Sequence, residues 1–257
     1  QHSPQSARPA RVGVNVYWIT YASVPNGVRD ANAKIVQTLG LPYHKGSGRL
    51  AVVGGGNSIK DHVGDLKAFD GNVWAVNGTI NWCLDNGIDA AFYTIDAAPL
   101  ANWTYDLTRI KRAVLSQDCD PGVIKSLMAN GADVTLLPVP DGGPTSAAAA
   151  DMLALEAGYT HITWYGCEGN FADTTHAFES FPVADWIVID LAGQEFKTKP
   201  EFVQQAEAIS NIIRSLPTFY AEKSGGMLRA MVENGPDHDV YMVSNELFAK
   251  MTDRKAA

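Results

Sequence analysis

The chain has 257 residues, of which 46% are hydrophobic and 19% charged, a composition typical of a globular protein with room for one large α/β domain. Its formal net charge of −8 comes without a basic cluster, which argues against a protein that holds nucleic acid through the phosphates. Three cysteines without CxxC spacing give neither a disulfide framework nor a zinc site, and they favour a reducing compartment.

No apolar run is long enough to span a bilayer, and the polar start of the chain has no signal-peptide core. The expected location is therefore the cytoplasm.

The first 47 residues are predicted to form a tail and then a strand and a helix that precede the main domain. Residues 1–10 are a polar tail. Residues 12–22 are rich in β-branched and aromatic side chains and predict a strand, whereas residues 28–39 carry apolar side chains at helical spacing.

A glycine turn at residues 54–58 is the main feature of the sequence. The apolar residues 50–53 lead into Gly54, Gly55 and Gly56 and then Asn57 and Ser58, which is typical of a buried parallel strand followed by a helix. Such turns bind phosphate, because glycine allows close approach and the first N–H groups of the helix are unpaired. Asn57 or Ser58 is the predicted N-cap. A second interpretation stays open, in which the glycines only form the tight turn that any doubly wound protein needs.

Two common nucleotide sites do not fit this turn. A dinucleotide fingerprint requires a third glycine where Ile59 stands and an acid at the end of the next strand, where Asn77 stands. The sequence also lacks the Gly-Lys-Ser/Thr of a P-loop.

Helical and strand patterns alternate after the turn. Residues 60–69 and 79–86 predict helices, and residues 73–77 and 90–95 predict strands. This order predicts an α/β fold, a doubly wound, mostly parallel Rossmann-like sheet with helices on both faces. The carboxyl ends of its strands should bring Asn77, Gly78, Thr94 and Asp96 beside the glycine turn.

The second half of the domain supplies another helix start and a polar loop. Strands at 113–116 and 134–137 flank a helix at 121–130, and Thr145 or Ser146 then caps an alanine-rich helix. The alanines serve either tight packing or a ligand site. A strand at 161–165 leads into a loop with Gly166, Glu168, Thr175 and His176. A loop that only connected two elements would not need these polar and ionisable side chains, so they indicate a functional role. A hairpin around Gly193, a helix at 200–216, a glycine-led helix from 224 and a helical extension at 236–257 complete the chain.

Five of these motifs, in this order, resemble one family. They are Val53-Gly-Gly-Gly-Asn-Ser-Ile, Val76-Asn-Gly, Tyr93-Thr-Ile-Asp, Pro144-Thr-Ser with its alanine run, and Ile162-Thr-Trp-Tyr-Gly-Cys-Glu. The sequence between about residues 48 and 235 is similar to the domain shared by motility accessory factor (Maf) glycosyltransferases and MptE-like pterin pyrophosphokinases. Thr175-His176 stands where Maf-like proteins have a Thr-His pair. Asn57 replaces the usual proline of the family, and Glu168 replaces the usual Asp.

The resemblance implies a sialyltransferase-like Rossmann core at 48–235 that binds a nucleotide-activated sugar, with a CMP-nonulosonic-acid-like donor favoured. Transfer to an acceptor hydroxyl would require no metal, because glycine turns and helix N-termini can stabilise the leaving phosphate. Because the pKa of histidine ordinarily lies near neutrality, His176 is the candidate base, with Glu168 and Asp96 as further catalytic candidates. His176 could instead order its loop. Asp96 and Glu168 could hydrogen-bond a ribose or an acceptor sugar, or they could cap turns, and the ligand role is favoured for Asp96 because it ends a central strand. The candidate nucleotide-binding residues are Gly54, Gly55, Gly56, Asn57, Ser58, Asn77, Gly78, Thr94, Thr145, Ser146, Gly166 and Thr175.

Two rival functions remain. An MptE-like pyrophosphokinase would use ATP and Mg²⁺, which needs several carboxylates, whereas the third strand ends in the single acid Asp96. A non-catalytic nucleotide- or sugar-binding module would keep the fold without the chemistry. The expected partners are a nucleotide-sugar donor and an acceptor, with no nucleic acid, no membrane span and no metal, and a homo-oligomer is compatible with the sequence.

Overall fold

A computed structural model of the protein describes residues 24–102, 105–138, 145–171, 177 and 186–243. The predicted tail at 1–10 and the predicted strand at 12–22 lie outside these ranges. The predicted helix of the preface is present as α1, Asn26–Gln37.

Seven parallel strands form the central sheet, in the order β5-β4-β3-β2-β1-β6-β9. Their bounds are Gly48–Val53 (β1), Asn72–Val76 (β2), Ala91–Thr94 (β3), Arg112–Ser116 (β4), Asp133–Leu137 (β5), Tyr159–Tyr165 (β6) and Tyr220–Lys223 (β9). This is the predicted α/β, Rossmann-like architecture, and the strands predicted from apolar runs agree with the structure to within one or two residues.

Six further α-helices among the described residues connect the strands. They are Val63–Lys67 (α2), Thr79–Asp85 (α3), Pro121–Ala129 (α4), Ser146–Ala157 (α5), Pro200–Ser215 (α6) and Gly226–Asn234 (α7). α4 begins as its sequence predicts, with Pro121 in the first turn and the Asp120 side chain accepting from the N–H groups of Gly122 and Val123.

The strands bury both faces, so side chains alternate between two cores. In β1, Leu50 and Val52 join the core beneath α5, α6 and α7, whereas Ala51 and Val53 join the core beneath α1 to α4. Helices therefore cover both faces of the sheet, as predicted. The apolar character of all four residues follows from this double burial.

A small second sheet packs on the α5–α7 face. The predicted hairpin is present as β7, Ile187–Leu191, and β8, Gln194–Thr198, which pair antiparallel. β10, Asp239–Val243, pairs with the other edge of β7.

Three predictions for local structure were wrong. The helical extension at 236–257 contains β10, because this segment finds a strand partner that is distant in sequence, and residues 244–257 lie outside the described part of the chain. β9 was missed, since Tyr220–Lys223 is a four-residue edge strand with two charges. The helix predicted at 60–69 begins instead as a 3₁₀ helix at Asn57–His62 and continues as α2.

Candidate functional site

The chain reverses its direction of winding between β1 and β6. From β1 the chain adds β2 to β5 on one side, whereas β6 and β9 lie on the other side. In open α/β sheets, ligands bind outside the carboxyl ends of the strands at such a switch point. The turn after β1 and the loop after β6 meet there.

Two hydrogen bonds join these segments. The N–H of Gly54 donates to the carbonyl of Tyr165, and the N–H of Gly56 donates to the carbonyl of Gly166, both at 2.8 Å. A Cβ at Gly54 would lie 2.5 Å from the Gly166 carbonyl oxygen, so the close approach requires glycine. The glycine turn therefore continues the pairing of β1 with β6.

The cap of the helical segment after the turn differs from the prediction. Gly56 is its N-cap residue and makes no side-chain cap, while Asn57 and Ser58 lie inside the first turn. The acceptor for the N–H of Ser58 comes from elsewhere, because Glu168 Oε1 lies 2.5 Å from it. The prediction that Asn57 or Ser58 caps the helix was wrong, since a side chain 110 residues away takes that role.

Glu168 is buried against the glycine turn. The residue is 8% exposed. A Cβ at Gly56 would lie 1.4 Å from its Oε2, so Gly56 leaves the space that the carboxylate fills. Thus an acidic side chain of the protein itself sits where the sequence predicted a phosphate.

The surroundings of Glu168 disfavour its charged form. Burial raises the pKa of the carboxyl above its ordinary value, and the hydrogen bond from the N–H of Ser58 offsets only part of that rise. The negative charge of Glu222 adds a smaller upward effect on the same pKa.

Four buried side-chain oxygens without a hydrogen-bond partner follow the ends of β1, β2 and β6. They are Ser58 Oγ, Asn77 Oδ1, Asn81 Oδ1 and Glu168 Oε2, and the other two such atoms among the described residues belong to Tyr93 and Glu201. An unpaired buried polar atom costs about 1–3 kcal/mol, so each such atom calls for an explanation, and a catalytic role is one of the recognised explanations. Asn81 was not predicted, because a polar residue within a short helix gives no sequence signal.

The end of β2 has an unusual backbone. Asn77 has a φ of 50°, a left-handed conformation that asparagine adopts more readily than most residues. Gly78 follows, and a Cβ there would lie 2.7 Å from the ring of Tyr105. Both predicted residues thus lie at the carboxyl edge of the sheet.

Thr94 and Asp96 mainly hold their own loop. The Thr94 hydroxyl accepts from the N–H of Asp96 at 3.0 Å, and Asp96 Oδ1 accepts from the N–H of Ala98 at 2.9 Å. Of the two interpretations of Asp96, the turn cap is present in the structure, and its catalytic role stays a prediction.

The start of α5 lies over the same edge of the sheet. As predicted, Thr145 is the N-cap, and its hydroxyl accepts from the N–H of Ala148 at 3.2 Å and donates to Gln205 Oε1 at 2.7 Å. The Ser146 hydroxyl accepts from the N–H of Ile95, which follows β3. The four alanines at 147–150 are buried, so tight packing accounts for the alanine run.

The loop after β6 is fixed by α7. The Ser224 hydroxyl accepts from the N–H of Cys167 at 3.0 Å, and Asn170 Oδ1 accepts from the N–H of Met227 at 2.7 Å. The carbonyl of Glu168 accepts from the N–H of Leu228. Sequence reasoning missed Asn170 and Ser224 as residues of this region, although the glycine-led start of α7 was noted.

Thr175 and His176 lie outside the described residues. The next residue, Ala177, is described, and its N–H donates to the carbonyl of Gly55 at 2.9 Å. The chain therefore reaches the glycine turn one residue after His176.

A small cavity lies at the opposite edge. It has a volume of about 70 Å³ and is lined by residues at the amino ends of β2 to β5, among them Asn72, Arg112 and Asp133, and by His44. Burial lowers the pKa of His44, whose ring nitrogens contact the hydroxyls of Thr135 and Tyr159. This cavity is separate from the predicted site.

Two further observations apply to the described part of the chain. No three His, Cys, Asp or Glu side chains there are arranged to hold a metal ion. None of the helices there has the length and apolar character needed to cross a membrane.

The parallel seven-stranded sheet with helices on both faces makes this a Rossmann-like α/β protein. The sequence matches no protein-family model and no curated protein. Among solved structures, the chain is similar to the Maf glycosyltransferase from Magnetospirillum magneticum AMB-1, with 14% sequence identity and a TM-score of 0.52. The similarity covers 88% of this chain and 44% of that one, so this chain spans less than half of the glycosyltransferase. At this level of identity the likeness establishes a shared fold.

Proposed function

We propose that the protein is a glycosyltransferase that uses a nucleotide-activated sugar, with a CMP-nonulosonic-acid-like donor favoured. The observation that carries the proposal is the fold shared with a Maf glycosyltransferase, combined with the polar residues gathered at the β1–β6 switch point. The three cysteines are buried and unpaired, which fits a reducing compartment, and we propose the cytoplasm.

The reaction needs a group that holds the leaving phosphate and a group that takes a proton. When the bond between the anomeric carbon and the phosphate oxygen breaks, its electron pair stays on the phosphate. The N–H groups of the first turn of α5 that Thr145 does not cap can stabilise that charge without a metal. The acceptor oxygen forms the new bond to the anomeric carbon, and its proton passes to the candidate base His176.

Thermal unfolding with a panel of nucleotides tests the proposal. CMP, UDP and GDP are each added with a chelator present, and ATP is added with Mg²⁺. A nucleotide at 100 times its Kd stabilises a protein by about 2.7 kcal/mol, which raises Tm by about 5–10 °C in a domain of this size. We expect the largest shift with CMP. A shift with ATP–Mg²⁺ alone would contradict the transferase and favour the pyrophosphokinase.

A further inference from the structure

The glycine turn already holds an anionic group of the protein. Glu168 Oε1 accepts from the N–H of Ser58, and its Oε2 fills the space that a side chain at residue 56 would need. The N–H groups of Gly54 and Gly56 are bonded to carbonyl oxygens of Tyr165 and Gly166. Three of the N–H groups that make a glycine turn attractive to phosphate are therefore in use.

The charges around the turn also oppose a phosphate. A phosphate on the turn would lie beside the Glu168 carboxylate, and like charges a few ångströms apart repel strongly where water is excluded. Glu222 adds negative charge, although its own carboxylate is bonded to Arg229 and to the N–H groups of Ser224 and Gly225. On the side away from the glycine turn, the start of α7 packs against the Glu168 side chain, since a Cβ at Gly226 would lie 2.9 Å from Glu168 Cβ.

The unpaired atoms in and around the turn favour a ligand group other than phosphate. Glu168 Oε2 is an acceptor, and Ser58 Oγ and Asn77 Oδ1 can also accept. Acceptors pair with donors, and the uncharged donors of a nucleotide-activated sugar are mainly its hydroxyl groups. An acidic side chain that follows a strand binds ribose hydroxyls in the same way in dinucleotide folds.

We propose that Glu168 is a specificity-determining residue that excludes phosphate from the glycine turn and binds hydroxyl groups of the donor there. The assignment rests on the proposed function and deepens it, because the donor's phosphate is then left to the start of α5. Glu168 Oε2 is sealed in the structure, whereas Gly55 to Ser58 are only half-buried. Binding therefore includes a small shift of the Glu168 side chain toward a ligand that lies on the turn.

Calorimetric titration with matched ligands tests the assignment. The wild-type protein is titrated with CMP and with its 2′-deoxy and 3′-deoxy analogues, and CMP is compared with a CMP-linked sugar. A hydrogen bond to a charged group corresponds to a loss of roughly tenfold to a hundredfold in affinity when the hydroxyl is missing. A loss with the deoxy analogues assigns the hydroxyls to the ribose, and a gain with the CMP-linked sugar assigns them to the sugar.

Three variants complete the test. The wild-type titrations identify the pair of ligands whose affinities differ because one of them lacks the hydroxyl. In Glu168→Ala, the affinities for these two ligands should differ by less than about twofold, because the hydrogen bond is gone. Glu222→Gln removes a nearby charge without removing an unpaired atom, and it should keep the discrimination. Because Glu168→Gln removes the charge that repels phosphate, it should raise the affinity for inorganic phosphate more than Glu222→Gln does. Circular dichroism of each variant checks that it is folded.

Two results would overturn the assignment while leaving the proposed function intact. One is a protein that binds CMP but whose affinity differences between the matched ligands are the same in the wild type and in Glu168→Ala. The other is an affinity of Glu168→Gln for inorganic phosphate that stays at the wild-type value, which would mean that the Glu168 charge does not exclude phosphate from the turn. A protein that binds none of the nucleotides would contradict the proposed function and the assignment together.

Discussion

At the scale of a single residue, the buried carboxyl of Glu168 couples stability to pH. Its pKa is raised in the folded protein because burial disfavours the charge. Below its ordinary pKa near 4.5 the group is protonated in both the folded and the unfolded states, so no penalty arises. As the pH rises through the raised pKa of the folded state, the unfolded state has already released its proton and stability is lost.

We therefore expect Glu168→Gln to raise Tm at pH 7 relative to the wild type, and to lose this advantage toward pH 4.5. The amide keeps the acceptor for Ser58 but carries no charge, and each kcal/mol gained raises Tm by about 2–4 °C in a domain of this size. Thermal unfolding between pH 4 and 8 measures the difference. Glu195→Gln, on the exposed side of β8, is the control. A Tm difference that does not depend on pH would contradict a buried charge at Glu168.

His176 is the residue proposed to remove the proton from the acceptor hydroxyl. If it is the base, His176→Ala should lower kcat by about 10²–10⁴-fold and leave the Kd of the nucleotide unchanged, because proton removal is lost while binding is kept. Release of CMP from the donor measures the first quantity and calorimetry the second. His161→Ala is the control, since His161 is exposed within β6 and contacts Thr160 and Phe219. Unchanged turnover in His176→Ala would remove it as the base.

At the scale of elements, the candidate site depends on the junction between β1 and β6. Gly166 has a φ of 63°, and a Cβ there would lie 2.1 Å from Ile59 Cγ2 and 2.5 Å from the Gly54 carbonyl oxygen. Gly131, at the end of α4, has a φ of 78° and no atom within 4 Å of an added Cβ. The two glycines separate the cost of the backbone conformation from the cost of the close contact.

We expect Gly131→Ala to lower the free energy of unfolding by about 1–2 kcal/mol, the cost of a left-handed alanine. Gly166→Ala should lose a further 1–3 kcal/mol or so, because the methyl group overfills the junction. Urea unfolding of both variants gives the two values. Equal losses would mean that the β1–β6 junction has room that the structure does not show.

The sequence predicted this junction only in part. Residues 50–53 are apolar because both faces of β1 are buried, and Ile162, Trp164 and Tyr165 are buried in β6, so apolar residues located both strands. The hydrogen bond between Ser58 and Glu168 joins residues 110 positions apart, and local patterns carry no information about such a contact. β9 was missed because it is a short edge strand with two charges, and β10 was missed because only its pairing with β7 makes that segment a strand.

At the scale of the whole molecule, the topology separates two edges of the sheet. The carboxyl edge carries the glycine turn, the start of α5 and the loop that contains Glu168, whereas the amino edge carries the small cavity beside His44. Open α/β sheets bind ligands at a switch point such as the one between β1 and β6, so we expect the ligand at the carboxyl edge. The proposed nucleotide site is therefore the carboxyl edge of the sheet and not the cavity beside His44.

Hydrogen–deuterium exchange with and without CMP tests that claim most directly. Bound ligand slows exchange where it orders the backbone. We predict slower exchange in the segments 54–58, 145–148 and 166–168, with no change at Asn72, Arg112 and Thr135. Slower exchange confined to the amino edge, or no change in any segment at saturating CMP, would contradict a nucleotide site at the glycine turn.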